Sequence, residues 1–136
     1  MGEQWAHRHH RSVIPVVKDV ISGDLINPQL DKPDDPTDFC VVLQALIGRE
    51  DTNGCESFQF VVCTPAWLQR ELTTRSSIWG RHLLIVAQYD YDLIMTAIND
   101  LCSASAGPDW TTVGERLSRY GFWEFEDYVP AEEPSS

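Results

Sequence analysis

Hydrophobic and polar residues follow a period of two over some stretches of this chain and a period near 3.6 over others. Residues 13–21, 39–47 and 58–63 alternate or run apolar, which is typical of strands. Residues 81–88 contain a short run of branched apolar residues that predicts a fourth strand. Pro15 is tolerated on an edge strand, whereas residues 39–47 are apolar on both faces, which predicts a central strand covered on both sides.

Two helices begin at recognisable caps. Thr64 precedes Pro65, and this pairing of an N-cap with a proline at the first helical position predicts a helix over residues 65–72. Asp90 caps a longer helix that runs through Cys102, because the apolar residues between them repeat at helical spacing. These helices follow the third and the fourth strand.

A last helix reaches Tyr120, and its start has two possible positions. Asp109 could cap it, or Thr112 and Glu115 could form a capping box that starts it one turn later. Gly121 is expected to end it in the left-handed conformation.

The order of these elements, β-β-β-α-β-α-α, predicts an α+β fold. We expect a mainly antiparallel sheet of about four strands, with two to three helices packed on one side. Residues 22–38 form a long irregular connection because several prolines interrupt them. We divide the chain into a flexible polar tail (residues 1–12), a single α+β domain (residues 13–130) and an acidic tail (residues 131–136).

The terminal stretch over residues 123–128 combines three aromatic side chains with three carboxylates. If it is extended, Trp123 and Phe125 point to one face while Glu124 and Glu126 point to the other. It is then either a closing strand with a solvated acidic face or a surface that presents carboxylates to a partner. Large side chains on inward faces or in apolar runs are expected to be buried, namely Trp67, Leu83, Ile85, Ile94, Ile98 and Trp123.

The net charge of -11 is concentrated in two short parts of the chain. Residues 31–38 carry -3 and residues 122–136 carry -5, so eight of the eleven units lie in two short stretches. A field of this sign repels nucleic acid and anionic membranes and attracts basic proteins. We therefore expect a protein partner, with no nucleic acid and no membrane.

Motifs for catalysis, metals and cofactors are absent from the sequence. The four cysteines lack zinc-type spacing, and the histidines of the polar tail have no further ligands beside them. No secretory signal and no membrane-spanning run is present, which favours a cytoplasmic protein. We expect no enzyme, no metal and no cofactor. The alternative is an enzyme or small-ligand site assembled from His82, Tyr89 and Glu124.

Several short pieces between about residues 37 and 130 form a recognisable set. They are Asp38-Phe39, Glu56-Ser57-Phe58, Thr64-Pro65 with Trp67-Leu68, residues 81–86, and Trp123-Glu124-Phe125. This set resembles the immunity protein 8 family of bacterial polymorphic toxin systems. The resemblance implies an α+β protein that binds and neutralises a cognate toxin in the producer's cytosol, and it implies no catalytic residues.

The acidic residues are the candidates for contact with such a toxin, whose own surface is then expected to be basic. In the terminal stretch they are Glu124, Glu126 and Asp127, and in the long loop they are Asp31, Asp34 and Asp35. We favour the terminal stretch as the contact, because a carboxylate held on an anchored strand loses less entropy on binding than one on a loop.

Overall fold

The structure is a computed structural model that describes residues 12–124. Its strands are β1 (Pro15–Ile21), β2 (Cys40–Arg49), β3 (Glu56–Cys63), β4 (Leu83–Ile85) and β5 (Phe122–Trp123). Its helices are α1 (Pro65–Glu71), α2 (Tyr91–Ala104) and α3 (Trp110–Leu117). The predicted α+β fold is confirmed, with a short fifth strand added. The expected N-terminal tail, apart from position 12, lies outside the described residues. The expected acidic tail and residues 125–128 of the terminal stretch also lie outside them.

The sheet is built around an antiparallel meander of β1, β2 and β3. The far side of β3 is shared, because β4 pairs with one end of it in parallel and β5 pairs with the other end in antiparallel fashion. β1 lies at the edge, as its proline requires, and its register shifts between Val17 and Asp19. The sheet is therefore mixed, although most of its pairing is antiparallel.

One hydrophobic cluster joins the sheet to α2 and α3. Alternate residues of β2 and β3, such as Leu43 and Phe58, are fully buried and belong to this cluster. The helices contribute Ile94, Ile98 and Leu117 to it, all at most 1% exposed. The helices α2 and α3 thus cover one face of the sheet, whereas α1 has no buried residue.

The first two helix caps lie where the sequence places them, and the structure decides between the two possible positions of the third. Thr64 accepts a hydrogen bond from the Trp67 N–H, and Asp90 accepts one from the Leu93 N–H. Asp109 accepts from the Thr112 N–H at 2.8 Å, so the last helix begins at Trp110 and not one turn later. In each case a side-chain oxygen satisfies a helix N–H that has no partner within the helix.

The expected end of the last helix is wrong. α3 ends at Leu117, and no glycine among residues 12–124 has a positive φ, so Gly121 is not a left-handed stop. Position 121 requires glycine because there is no room for a side chain, and not because of its backbone conformation. A Cβ at Gly121 would lie 2.7 Å from the ring of Phe60, closer than two carbon atoms approach without a clash.

The expected core is only partly correct. Ile94 and Ile98 are buried, but Trp67, Leu83 and Trp123 are half-buried. Ile85 is 53% exposed because β4 is a three-residue outer strand, and only its middle residue, Leu84, packs against the cluster.

The second face of β2 is more open than its apolar residues predict. Its residues Val42, Gln44 and Leu46 are half-buried, and the buried hydrophobic side chains of α2 and α3 belong to the cluster on the other face. The expected cover on both sides is therefore wrong for most of this strand. We call this second surface the open face, and define it by Val42, Gln44, Leu46, Ser57, Gln59, Val61, Phe122 and Glu124.

Candidate functional site

Strand register arranges the open face in three rows. Residues opposite each other in paired strands point to the same side of a sheet. One row contains Leu46, Ser57 and Glu124, the next contains Gln44, Gln59 and Phe122, and the third contains Val42 and Val61. Four of these eight residues are apolar, three are neutral and polar, one is acidic, and none is basic.

A shallow cavity lies over the first two rows. It has a volume of about 250 Å³ and is lined by Gln44, Ser57, Gln59, Phe122 and Glu124. Phe122 is 43% exposed, so part of its ring is available for contact. The cavity combines an aromatic side chain with amide, hydroxyl and carboxylate groups, which can accept hydrogen bonds from a partner.

Glu124 is exposed at the edge of this cavity, on a backbone that is fixed to the sheet. Its N–H donates to the Ser57 carbonyl at 3.2 Å. The neighbouring Trp123 stacks on Phe58 with ring centroids 5.7 Å apart, and its Nε1–H donates to a Glu56 carboxylate oxygen at 2.6 Å. The predicted alternation therefore holds for Trp123 and Glu124. The other two predicted contacts of this stretch, Glu126 and Asp127, lie outside the described residues.

Space for Trp123 is made by a glycine in α3. A Cβ at Gly114 would lie 2.4 Å from the indole ring, so any larger residue at that position would displace the ring. The close approach of this helix to the indole is what holds Trp123, and with it Glu124, at the edge of the sheet.

The acidic residues of the long loop have local partners. Asp31 accepts a hydrogen bond from the Asn27 N–H at 2.8 Å. Asp35 accepts from the N–H and the hydroxyl of Thr37, and these bonds lower the pKa of its carboxyl group. Asp34 is exposed beside them. Asp31 and Asp35 thus stabilise turns of the loop, which is a role that needs no partner.

Glu124 and the acidic loop lie at opposite ends of the sheet. The loop leads into Phe39, whose backbone pairs with Thr64, whereas Glu124 lies beside Ser57. The seven residues of chain between Ser57 and Thr64 correspond to roughly 23 Å of strand. The structure therefore does not bring Glu124 together with Asp31, Asp34 and Asp35.

The residues of the alternative site have separate partners. Tyr89 is buried and ties down the long loop, since its hydroxyl donates to the Pro28 carbonyl at 2.6 Å and its N–H donates to the Pro36 carbonyl. Burial raises the pKa of Tyr89 to about 12. His82 has its Nε2 atom 3.1 Å from the Ser118 carbonyl oxygen, and Glu124 lies at the open face. This arrangement gives the three side chains no common hydrogen-bond partner.

The cysteines and the potential metal ligands of residues 12–124 form no metal site. All four cysteines are free; Cys55 is exposed, Cys40 is half-buried, and Cys63 and Cys102 are buried. Among residues 12–124, no three His, Cys, Asp or Glu side chains are grouped so that they could hold a metal ion. No helix in this part of the chain is long and apolar enough to cross a bilayer.

Sequence reasoning missed the amide residues and Phe122 at the centre of the open face. The available signal was one polar residue inside each of two apolar runs, Gln44 in residues 39–47 and Gln59 in residues 58–63. Only the strand register shows that these two residues are direct partners.

Comparison with known proteins gives one match. A family model described as Immunity protein 8 matches residues 16–128, which include every strand and helix except the first residue of β1. No curated protein and no solved structure matches the chain.

Proposed function

Since the chain belongs to the immunity protein 8 family, we propose that it neutralises a cognate toxin of a polymorphic toxin system by binding it as a stoichiometric inhibitor. The family match is the observation that carries this proposal. Inhibition by binding requires a stable surface and no catalytic group. The protein then acts in the cytoplasm of the toxin-producing cell, and not as an enzyme.

The charge of the chain supports a toxin with a basic surface. A net charge of -11 on 136 residues creates a field that attracts a cationic partner. Complementary charge raises the association rate and excludes partners of the wrong sign, while desolvated apolar and aromatic contacts supply most of the affinity.

The terminal stretch is the proposed contact, and the long loop is proposed to steer the approach. Glu124 extends from a backbone held by Trp123, so it loses little conformational freedom when a partner binds. Glu126 and Asp127 follow within three residues of it. Asp31, Asp34 and Asp35 lie at the other end of the sheet, where their charge contributes through the field and not through the same contact.

The proposed contact is tested by removing its charges without changing its shape. The variant carries Glu124→Gln, Glu126→Gln and Asp127→Asn. Against the toxin domain that the wild-type chain neutralises, we expect slower association and a weaker dependence of the association rate on salt, because three screened attractions are removed.

A matched control removes three exposed carboxylates from the helical layer. It carries Asp92→Asn, Asp100→Asn and Glu115→Gln, and therefore has the same net charge as the test variant. Equal association rates for the two variants at low and physiological salt would show that only total charge matters, and would remove the terminal stretch from the contact.

A further inference from the structure

The eight residues that define the open face include no basic side chain, although His82 lies beside Phe122 with ring centroids 6.0 Å apart. The open face is the part of the sheet that α2 and α3 do not cover. We infer that the toxin docks across this face, centred on Gln44, Gln59 and Phe122, and that Glu124 is the acidic edge of the contact. This inference rests on the proposed function and adds the surface on which inhibition takes place.

The composition of the face matches the anatomy of a protein interface. Such interfaces have an apolar centre with a polar rim, and their centre is depleted of charge. Here Val42, Leu46 and Val61 lie among Gln44 and Gln59, whose amides can donate and accept hydrogen bonds. A face meant only for solvent would place polar residues at these alternate positions of an antiparallel sheet.

Phe122 provides an aromatic anchor on a rigid support. It is 43% exposed, and it belongs to β5, which pairs with β3 through Gln59 and Phe58. The next residue, Trp123, is fixed on the other side of the sheet by stacking and by its hydrogen bond to Glu56. Aromatic residues held in this way dominate binding energies, because little entropy is lost when they are covered.

Acidic groups lie at both ends of the face and select a cationic occupant. Glu124 is exposed at the Ser57 end. At the other end Asp24 accepts a hydrogen bond from the Val42 N–H at 2.7 Å. The two ends, at Val42 and at Leu46, are four residues apart on β2, which corresponds to roughly 13 Å.

The same charges disfavour the other possible occupants. A second copy of this chain would bring another net charge of -11 against the face. The chain's own residues 125–136 contain four carboxylates and no basic residue. Like charges brought together in a contact oppose association, so a basic toxin is the occupant that the charges favour.

The test places a bulky cation in the centre of the face. Gln59→Arg is expected to weaken binding of the toxin domain at least about tenfold, because it adds volume and positive charge at the centre of the contact. The control Asn99→Arg introduces a similar change on the exposed surface of α2, and it is expected to change the dissociation constant by less than about twofold. Binding is measured by calorimetry on full-length protein with an inactivated toxin domain.

A second variant, Phe122→Ala, keeps the test informative if Gln59→Arg does not fold. Phe122→Ala removes a partly exposed ring that is not part of the buried cluster, so the fold should persist. It is expected to weaken binding about tenfold, with an unfolding midpoint within a few degrees of wild type. Circular dichroism and thermal unfolding of both variants establish that the fold is intact.

The outcomes separate this inference from the proposed function. If the wild-type chain neutralises the toxin and both open-face variants bind it as tightly as wild type, the inference is overturned while the function stands. A free wild-type dimer that Gln59→Arg dissociates would assign the face to a second copy. Unchanged toxin binding by Gln59→Arg, together with a lowered midpoint on truncation after Glu124, would assign it to the chain's own terminus. Either result overturns the inference.

Discussion

Adding a single methyl group at Gly114 should destabilise this protein, although the same change stabilises most helices. Gly114 lies in the middle of α3 and is buried. A Cβ there would lie 2.4, 2.6 and 2.7 Å from three carbon atoms of the Trp123 indole, whereas non-bonded carbon atoms pack at about 3.5–4.0 Å. The ring or the helix must therefore move in the Gly114→Ala variant.

The expected loss of stability follows from one favourable and three unfavourable contributions. Alanine gains about 1 kcal/mol over glycine in a helix interior. Overpacking costs about 1–3 kcal/mol. A displaced Trp123 also loses its stacking on Phe58, about 0.5–1.5 kcal/mol, and its hydrogen bond to Glu56, about 1 kcal/mol. We expect a net destabilisation of about 1.5–4.5 kcal/mol.

Thermal and denaturant unfolding measure this change directly. For a domain of this size, each kcal/mol lowers the midpoint by roughly 3–6 °C. Gly23→Ala is the control, since no atom lies within 4 Å of a Cβ at that position, and its stability should change by less than about 0.5 kcal/mol.

A double variant tests the cause. In a Trp123→Leu background the clash is relieved, so Gly114→Ala should become neutral or stabilising as its helix propensity dictates. A Gly114→Ala protein more stable than wild type would show that Trp123 does not pack on α3. The anchoring of Glu124 would then lose its physical basis.

Three further predictions concern the loop, a cap and an exposed tryptophan. Tyr89→Phe should cost about 1–2 kcal/mol, because it leaves the Pro28 carbonyl without its hydroxyl donor, and hydrogen exchange in residues 27–31 should become faster. Hydrogen bonds from Thr112 lower the pKa of Asp109 from 3.8, so the stabilisation by this carboxylate is present above pH 3.8 and is lost as the pH falls below it. The advantage of wild type over Asp109→Asn should therefore vanish in acid unfolding series. Trp79 is 95% exposed, so Trp79→Ala should change the free energy of unfolding by less than about 0.5 kcal/mol.

Local signals in the sequence predicted two helix starts and offered two positions for the third, of which Asp109 is correct. Thr64, Asp90 and Asp109 each act on an N–H three residues further along the chain, so the residues that decide the structure are neighbours in the sequence. The alternation that separates Trp123 from Glu124 is equally local.

Features that depend on residues distant in the sequence could not be predicted from it. Ile85 belongs to an apolar run, but its exposure depends on β4 being an outer strand that pairs with β3 alone. The open face depends on the register that brings Gln44 opposite Gln59. Likewise, the separation of Glu124 from the acidic loop follows from which ends of β3 they approach. No pattern within one segment contains this information.

We propose that this protein inhibits a toxin by binding it one to one. The direct measurement is a titration of the cognate toxin's activity with purified full-length chain, at a toxin concentration well above the dissociation constant. We predict that activity falls linearly and reaches zero at an equimolar ratio. Toxin activity that persists at excess chain, or that is abolished by far less than one equivalent as turnover would cause, would contradict the claim.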